Sequence, residues 1–143
     1  MRRIATCACG ELKAIAEGEP DQVLACNCRA CQQRTGSVFG VSAYFSRSNV
    51  RIEGEARTFV RETEDGLRFE TRFCGSCGTS VLWSASAMPD HVAIAVGCFA
   101  DPDFPPPTRA AWLSEKHPWV CFPEDWQGSE KSALVPTLPT GNG

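Results

Sequence analysis

Apolar and polar residues alternate along several short stretches of the chain, a pattern typical of half-buried β-strands. The clearest case is residues 67–73, where Leu67, Phe69, Thr71 and Phe73 share one face and charged residues occupy the other. This alternation predicts a half-buried antiparallel strand. Apolar, β-branched or aromatic residues predict further strands or strand pieces at 4–7, 38–45, 50–62, 80–84, 91–99 and 109–113.

Few segments have a helical pattern. Residues 11–17 fit either a returning strand or one or two helical turns, and residues 30–35 fit a short helix ended by Gly36. Four prolines within 101–107 exclude a regular element there. Short strands separated by turns predict a single, mainly β domain over residues 1–128. The polar stretch 129–143 is interpreted as a flexible tail.

The 143-residue length fits one domain, and the net charge of −3 disfavours nucleic acid as a partner. Two N-terminal arginines are followed by no apolar run, so no secretory signal is recognised. No stretch approaches the length of a membrane span. A cytoplasmic protein without a membrane partner is therefore expected.

Nine cysteines change this picture, because seven of them lie in tight clusters. One pair, Cys7 and Cys9, and a second pair, Cys74 and Cys77, each occupy a glycine-ended turn between predicted strands. Together they predict a closed four-thiolate zinc site whose metal binding also stabilises the fold. The alternative, a redox dithiol at Cys74 and Cys77, normally needs a βαβ setting that the pattern lacks.

The other cluster, Cys26, Cys28 and Cys31, supplies only three thiols. A protein ligand would close the site, an exchangeable ligand would keep it open, and the thiols could also simply be reduced without a metal. Three thiolates give a zinc site a net charge near −1. This charge makes the ion a poor generator of hydroxide and favours a thiol as the substrate. The candidates for a fourth protein ligand are Cys98, Cys121, His91 and His117.

The order C-x-C-G, C-x-C-x-x-C, Thr35-Gly36-Ser37 and Phe73-Cys74-Gly75-Ser76-Cys77-Gly78 resembles the glutathione-dependent formaldehyde-activating enzyme (GFA) family, also called the CENP-V/GFA domain family. Residues 39–43 and the late segment 116–120 also resemble family motifs. The resemblance spans about residues 7–126. It implies the Mss4-like (β-tent) fold, with zinc-stabilised antiparallel sheets in a single domain. The sequence departs from the family at Asn27, where His is frequent, and at Cys98, where a residue other than cysteine is expected.

The resemblance implies a structural zinc at Cys7, Cys9, Cys74 and Cys77 and a catalytic zinc, which could be labile, at Cys26, Cys28 and Cys31. It also implies a carbon–sulfur lyase that joins or cleaves glutathione and formaldehyde. Arg29 and Arg34 could receive the carboxylates of glutathione, although solvated surface arginines are the simpler interpretation. No residue is assigned as proton donor.

A non-catalytic Mss4-like zinc module that binds a protein partner is the competing interpretation. A fourth protein ligand at the three-cysteine cluster, or exposed Trp112, Trp119 or Trp126, would favour it. Packing of these tryptophans in the core or in a lid is the simpler expectation. A thiol–disulfide redox protein is the weakest alternative, since zinc would occupy the thiols that it needs.

Overall fold

The computed structural model describes residues 1–132, which fold into two β-sheets with short connections. One α-helix, α1, spans Arg29–Thr35, and 3-10 helices span Arg47–Asn49, Val96–Phe99 and Leu113–Glu115. The strands are, in chain order, β1 (Arg2–Thr6), β2 (Lys13–Glu17), β3 (Gln22–Cys26), β4 (Gly40–Ser46), β5 (Val50–Glu53), β6 (Ala56–Glu62), β7 (Arg68–Cys74), β8 (Ser80–Ala85), β9 (His91–Ala95), β10 (Arg109–Ala111) and β11 (Gln127–Gly128).

The smaller sheet has the order β1-β2-β5 and is antiparallel. The larger sheet has the order β11-β10-β3-β4-β9-β8-β7-β6. It is antiparallel except at β10, which runs parallel to both β3 and β11. The described chain is thus a mostly β single domain, as the pattern of short strands predicted.

The main core lies between the two sheets. Ala5, Ala14 and Ala16 of the small sheet pack in the same buried cluster as Phe45 and Ile94 of the large one. Small side chains on the three-stranded sheet let the two backbones approach closely, because a close-packed interior leaves no room for larger ones there. A second buried cluster lies behind the three-cysteine segment and contains Leu24, Tyr44, Met88, Ala93 and Ala111.

Most of the predicted elements are confirmed. Residues 13–17 are a strand, which decides between the two readings of 11–17, and α1 ends at Gly36 with φ +73°. Residues 101–107 contain no helix or strand. The antiparallel strand expected at 67–73 is β7, with its partners β6 and β8 on either side.

One predicted strand is too long. The pattern at 91–99 predicted a continuous strand, but β9 ends at Ala95 and a 3-10 helix follows over Val96–Phe99. The turn brings the Phe99 ring against Phe104, with ring centroids 4.6 Å apart, and near Phe45 at 6.3 Å. Core packing of an aromatic ring therefore overrides the local strand preference.

The end of the described chain is hydrogen-bonded to the body of the domain. The Ser129 N–H donates to Ala110 O, and the Trp112 and Leu113 N–H groups donate to Lys131 O and Ser129 O. The boundary at residue 128 stays a prediction, and the remainder of the expected tail, 133–143, lies outside the described residues. No helix within residues 1–132 has the length and apolar character needed to cross a membrane.

Gly54 separates β5 from β6 at a close backbone contact. Its φ is +91°, and an added Cβ would lie 1.9 Å from Glu11 O. Gly66 has a similar φ of +84° with nothing within 4 Å. We expect Gly66→Ala to lower the free energy of unfolding by ~1–2 kcal/mol through backbone strain alone. Gly54→Ala should lower the free energy of unfolding by a further ~1–3 kcal/mol, because its Cβ would clash with Glu11 O. Urea denaturation of both variants measures the difference, and equal losses would contradict the contact.

Candidate metal centre

Two turns bring four thiols together where the two sheets meet. Cys7 and Cys9 follow β1 of the small sheet, while Cys74 ends β7 of the large sheet and Cys77 follows it. The Sγ atoms of Cys7 and Cys9 are 3.7 Å apart, those of Cys9 and Cys74 are 3.6 Å apart, and all four lie within 4.8 Å of one another. A tetrahedral ion with metal–sulfur bonds of ~2.3 Å requires sulfur separations of ~3.8 Å, so this donor set fits such an ion.

Backbone N–H groups point at the sulfurs of this four-cysteine cluster. The Leu12 N–H donates to Cys7 Sγ at 3.2 Å, and the Ser76 N–H donates to Cys74 Sγ at 3.4 Å. The two turns can fold this tightly because Gly10 and Gly78 adopt φ values of +89° and +81°. N–H groups that point at sulfur stabilise negative charge there, which is the charge that a metal-bound thiolate carries.

Thr79 connects the two cysteine turns. Its hydroxyl oxygen accepts from the Ala8 N–H at 3.1 Å and lies 3.3 Å from Cys77 Sγ. The hydrogen bond from Thr79 lowers the pKa of Cys77 to about 5. One thiolate of the four-cysteine cluster is therefore favoured at neutral pH before any metal binds.

The three-cysteine cluster forms at the junction of β3 and α1. Cys26 ends β3, Cys28 is the N-cap of α1 and Cys31 lies in its first turn. The Cys28 sulfur accepts from the Cys31 N–H at 3.4 Å, and the three sulfurs lie within 4.8 Å of one another. A strand end followed by a capped helical turn thus converges three thiols on one point, as the C-x-C-x-x-C spacing predicted.

The charges of these three thiols are strongly coupled. Hydrogen bonding with Cys26 lowers the pKa of Cys28 to about 2, and the same contact raises the pKa of Cys26 well above its usual range. One negative charge is thus favoured on Cys28 and resists the formation of a second beside it. A divalent cation removes that resistance, so the cluster is chemically suited to a metal ion.

No other Cys, His, Asp or Glu of residues 1–132 joins this cluster. Each of the four candidate ligands has other surroundings. The Cys98 thiol is 3.8 Å from Ser80 O, and Cys121 is exposed. His91 pairs with Asp21 at 3.0 Å, and His117 contacts Gln32 at 3.1 Å. The protein side therefore offers three ligands, and the remaining direction opens into a cavity that the three cysteines line.

That cavity has a volume of about 730 Å³. Its walls come from α1, from the strands β6, β7 and β8, and from the segment after β10. Aromatic, apolar and basic side chains line it together with the three thiols, among them Tyr44, Phe59, Leu67, Phe69, Phe73, Trp83, Trp112, Arg29, Arg34 and Arg61. Arg29 and Arg34 therefore do border the cavity that contains the three thiols.

Two hydrogen-bond donors in the cavity wall lack an acceptor among the described residues. These are the buried Nη2 of Arg34 and the hydroxyl of Tyr44, whose side chain is only 2% exposed. Burial raises the pKa of Tyr44 well above its usual range, so its hydroxyl keeps the proton. Buried donors are normally satisfied, so these two are available to a hydrogen-bond acceptor in the cavity.

Sequence reasoning did not find Tyr44. It lies in the apolar run of β4, where no pattern marks it out, and strand alternation puts it on the same face as Gly40, the residue that pairs with Cys26. Asn27 is fully buried and donates from Nδ2 to Ala111 O at 2.9 Å, so it ties β3 to β10 and does not line the cavity.

The three tryptophans considered as a possible partner surface, Trp112, Trp119 and Trp126, have different surroundings. Trp112 lines the cavity in a left-handed conformation with φ +56°, and its ring lies 5.2 Å from Lys131 Nζ. Trp126 stacks on Phe122 at 5.5 Å. Trp119 is 71% exposed, so the expectation of core or lid packing is wrong for that residue.

Comparison with known proteins agrees with this geometry. A family profile described as "Glutathione-dependent formaldehyde-activating enzyme" matches residues 2–115. The chain belongs to this family. The match includes all seven clustered cysteines, while the late segment 116–120 lies beyond it. No curated protein sequence matches the chain.

A solved structure shares the fold of this family member. The crystal structure of a protein from Rhodobacter sphaeroides matches with a TM-score of 0.54 and 18% sequence identity, covering 72% of this chain and 91% of that one. At this identity the likeness shows a common fold alone. The mostly β architecture and its cysteine clusters are compatible with a zinc-stabilised Mss4-like fold.

Proposed function

We propose that this family member is a zinc-dependent carbon–sulfur lyase that joins or cleaves a thiol, glutathione in the first instance, and a small aldehyde such as formaldehyde. The observation that carries the proposal is the three-cysteine cluster, which opens into a cavity and has no fourth ligand among residues 1–132. In this proposal Cys7, Cys9, Cys74 and Cys77 hold a structural zinc, and Cys26, Cys28 and Cys31 hold the catalytic one.

Zinc held by Cys26, Cys28 and Cys31 would make a thiolate nucleophile available at neutral pH. In the forward direction a bond forms between the thiol sulfur and the carbonyl carbon, the carbonyl π bond breaks, and the thiol proton ends on the oxygen. The cavity brings the two reactants together, which replaces a bimolecular encounter by an oriented one. The cleavage reaction reverses these changes.

The unpaired donors of the cavity fit the charge that develops in this reaction. The Tyr44 hydroxyl and Nη2 of Arg34 are buried and lack acceptors among residues 1–132, and both residues line the cavity that contains the thiols. We assign the Tyr44 hydroxyl to the carbonyl oxygen, where a fixed donor stabilises the developing negative charge. Arg29 and Arg61 remain for the carboxylates of the thiol substrate.

Tyr44→Phe tests this assignment. We expect turnover to fall about tenfold, because a hydrogen bond worth ~1.5 kcal/mol is lost in the transition state. The melting temperature should stay the same or rise, since the variant removes a buried hydroxyl without an acceptor. Turnover assays and thermal denaturation give the two readouts. A drop in stability with unchanged turnover would assign the hydroxyl a structural role instead.

The decisive experiment is exchange NMR on glutathione and formaldehyde, with and without the metal-loaded protein. We expect the protein to accelerate exchange between glutathione and its hydroxymethyl adduct. A chelator that removes the metal ion from the three-cysteine cluster should abolish this acceleration. A protein that holds two zinc ions and leaves the exchange rate unchanged would contradict the proposal. The exposed ring of Trp119 would then favour a zinc module that binds a protein partner.

A further inference from the structure

Within residues 1–132, the apolar face of β7 is not covered by the buried core. Leu67, Phe69 and Phe73 are only half-buried, belong to neither buried core cluster and line the cavity. The charged residues between them do not line it. The strand thus presents its apolar side to the cavity that contains the three thiols. An apolar surface in such a cavity is typical of a ligand site.

Neighbouring strands extend this surface. Phe59 lies opposite Thr71 on β7, and Trp83 lies opposite the same residue from β8. The rings of Phe69 and Trp83 are 5.7 Å apart. We call the four rings that line this side of the cavity, those of Phe59, Phe69, Phe73 and Trp83, the aromatic wall.

Contacts behind and beside the aromatic wall hold it in place. Trp83 packs edge-on against Tyr44 at 5.5 Å and donates from Nε1 to Ser42 Oγ at 3.3 Å. The Arg61 guanidinium lies 4.4 Å above the Phe69 ring, which is its cross-strand partner. Rings held this way bind a flat apolar group with little loss of side-chain freedom.

The size of the cavity exceeds what a one-carbon aldehyde needs. A volume of about 730 Å³ falls within the ~300–1,000 Å³ typical of sites for drug-sized ligands. Formaldehyde occupies about the space of one water molecule, ~30 Å³. Glutathione is a polar tripeptide whose charges suit the arginines rather than an aromatic surface. Neither reactant of the proposed reaction therefore accounts for the aromatic wall.

The charges along the cavity divide it into two parts. Arg29 and Arg34 lie on α1, which begins at the three-cysteine cluster, whereas the aromatic wall comes from β6, β7 and β8 at the other end of the larger sheet. Arg61 also lines the cavity and lies over the Phe69 ring of the aromatic wall. An anionic thiol on the helix side and an apolar group on the sheet side would match both surfaces.

Resting on the proposed lyase function, we infer that the aldehyde which this protein handles carries an aromatic or comparably bulky apolar group. That group packs on the aromatic wall and leaves its carbonyl carbon beside the substrate sulfur. The bond changes are those of the proposed reaction: carbon–sulfur bond formation, loss of the carbonyl π bond, and transfer of the thiol proton to oxygen. The product is a hemithioacetal with an aryl or bulky alkyl substituent.

Binding of two thioethers tests this inference apart from turnover. Isothermal titration of the metal-loaded protein compares S-benzylglutathione with S-methylglutathione, which differ only in the apolar group. We expect the benzyl compound to bind about tenfold tighter or more, because the added ring buries apolar surface on the wall. Phe69→Ala should reduce this preference at least about threefold, whereas Val60→Ala, outside the cavity on the same hairpin, should leave it unchanged.

The outcomes separate this inference from the proposed function. Equal affinity for the two thioethers, with accelerated formaldehyde exchange, would overturn the inference and leave the lyase function intact. A benzyl preference without exchange of either formaldehyde or phenylglyoxal adducts would overturn both. Sedimentation velocity tests a second copy of the chain as the occupant: a dimer that Phe69→Ala dissociates would mean that a second copy covers the aromatic wall, and would also overturn the inference.

Discussion

Cys74→Ser is expected to unfold the domain rather than merely weaken it. Cys74 is 1% exposed and lies in the main core beside Cys7, so the proposed ion bridges the two sheets at their contact. Structural zinc contributes ~10–16 kcal/mol in small zinc domains. The whole free energy of unfolding of a domain is only ~5–15 kcal/mol. Loss of one buried ligand therefore removes a contribution as large as the net stability.

Circular dichroism, thermal denaturation and metal analysis measure this effect. The matched control is Cys98→Ser, which changes a half-buried thiol that packs against the same core without joining either metal-binding group. We expect the control to keep two metal ions, a cooperative transition and a modest loss of stability. A Cys74→Ser protein that melts like the control and still holds both ions would contradict a structural ion at this cluster.

Cys28→Ser should retain the fold and lose turnover, in contrast to Cys74→Ser, which should unfold. Cys28 caps α1 by accepting from the Cys31 N–H, and serine is a preferred N-cap residue, so the helix keeps its cap. The hydroxyl is a far weaker zinc ligand than a thiolate. We expect the second metal to be lost and turnover to fall by at least about a hundredfold, because proximity and orientation of the reactants depend on it.

Metal content and exchange NMR on the same sample test this prediction. We expect one ion per chain and a melting temperature within a few degrees of the unmodified protein, since the serine retains the N-cap of α1 and the change costs under ~1 kcal/mol. Full turnover with one ion bound would end the proposal of a catalytic metal at the three-cysteine cluster. Unfolding of this variant would instead assign that cluster a structural role.

Local patterns predicted the cysteine geometry well. C-x-C-x-x-C spacing across a strand end and a helix start brings three sulfurs together through backbone geometry alone, so neighbouring residues suffice. The pairs Cys7/Cys9 and Cys74/Cys77 are distant in sequence, yet each lies in its own glycine-ended turn. Metal-ligand chemistry then implied that the two turns meet.

The cavity could not be predicted in the same way. Alternation at 67–73 correctly put Phe69 and Phe73 on one face, but alternation cannot tell a face covered by core from one that faces a ligand. The parallel pairing of β10 with β3 joins Ala111 to Cys26 across 85 positions. The short strand at 109–113 was predicted, but no local signal shows that it pairs in parallel with β3 or that Trp112 after it is left-handed.

The placement of β10 has a consequence for the newborn chain. Cys26, Cys28 and Cys31 leave the ribosome well before β10, whereas β4, the antiparallel partner of β3, follows directly after α1. The part of the wall formed by Ala111, Trp112 and Glu115 exists only after the parallel strand has docked on β3. Because synthesis adds residues one after another at ~5–20 per second, the three thiols spend several seconds open to solvent. Metal capture at this cluster can therefore precede the closure of its pocket, whereas the four-cysteine site must wait for Cys77.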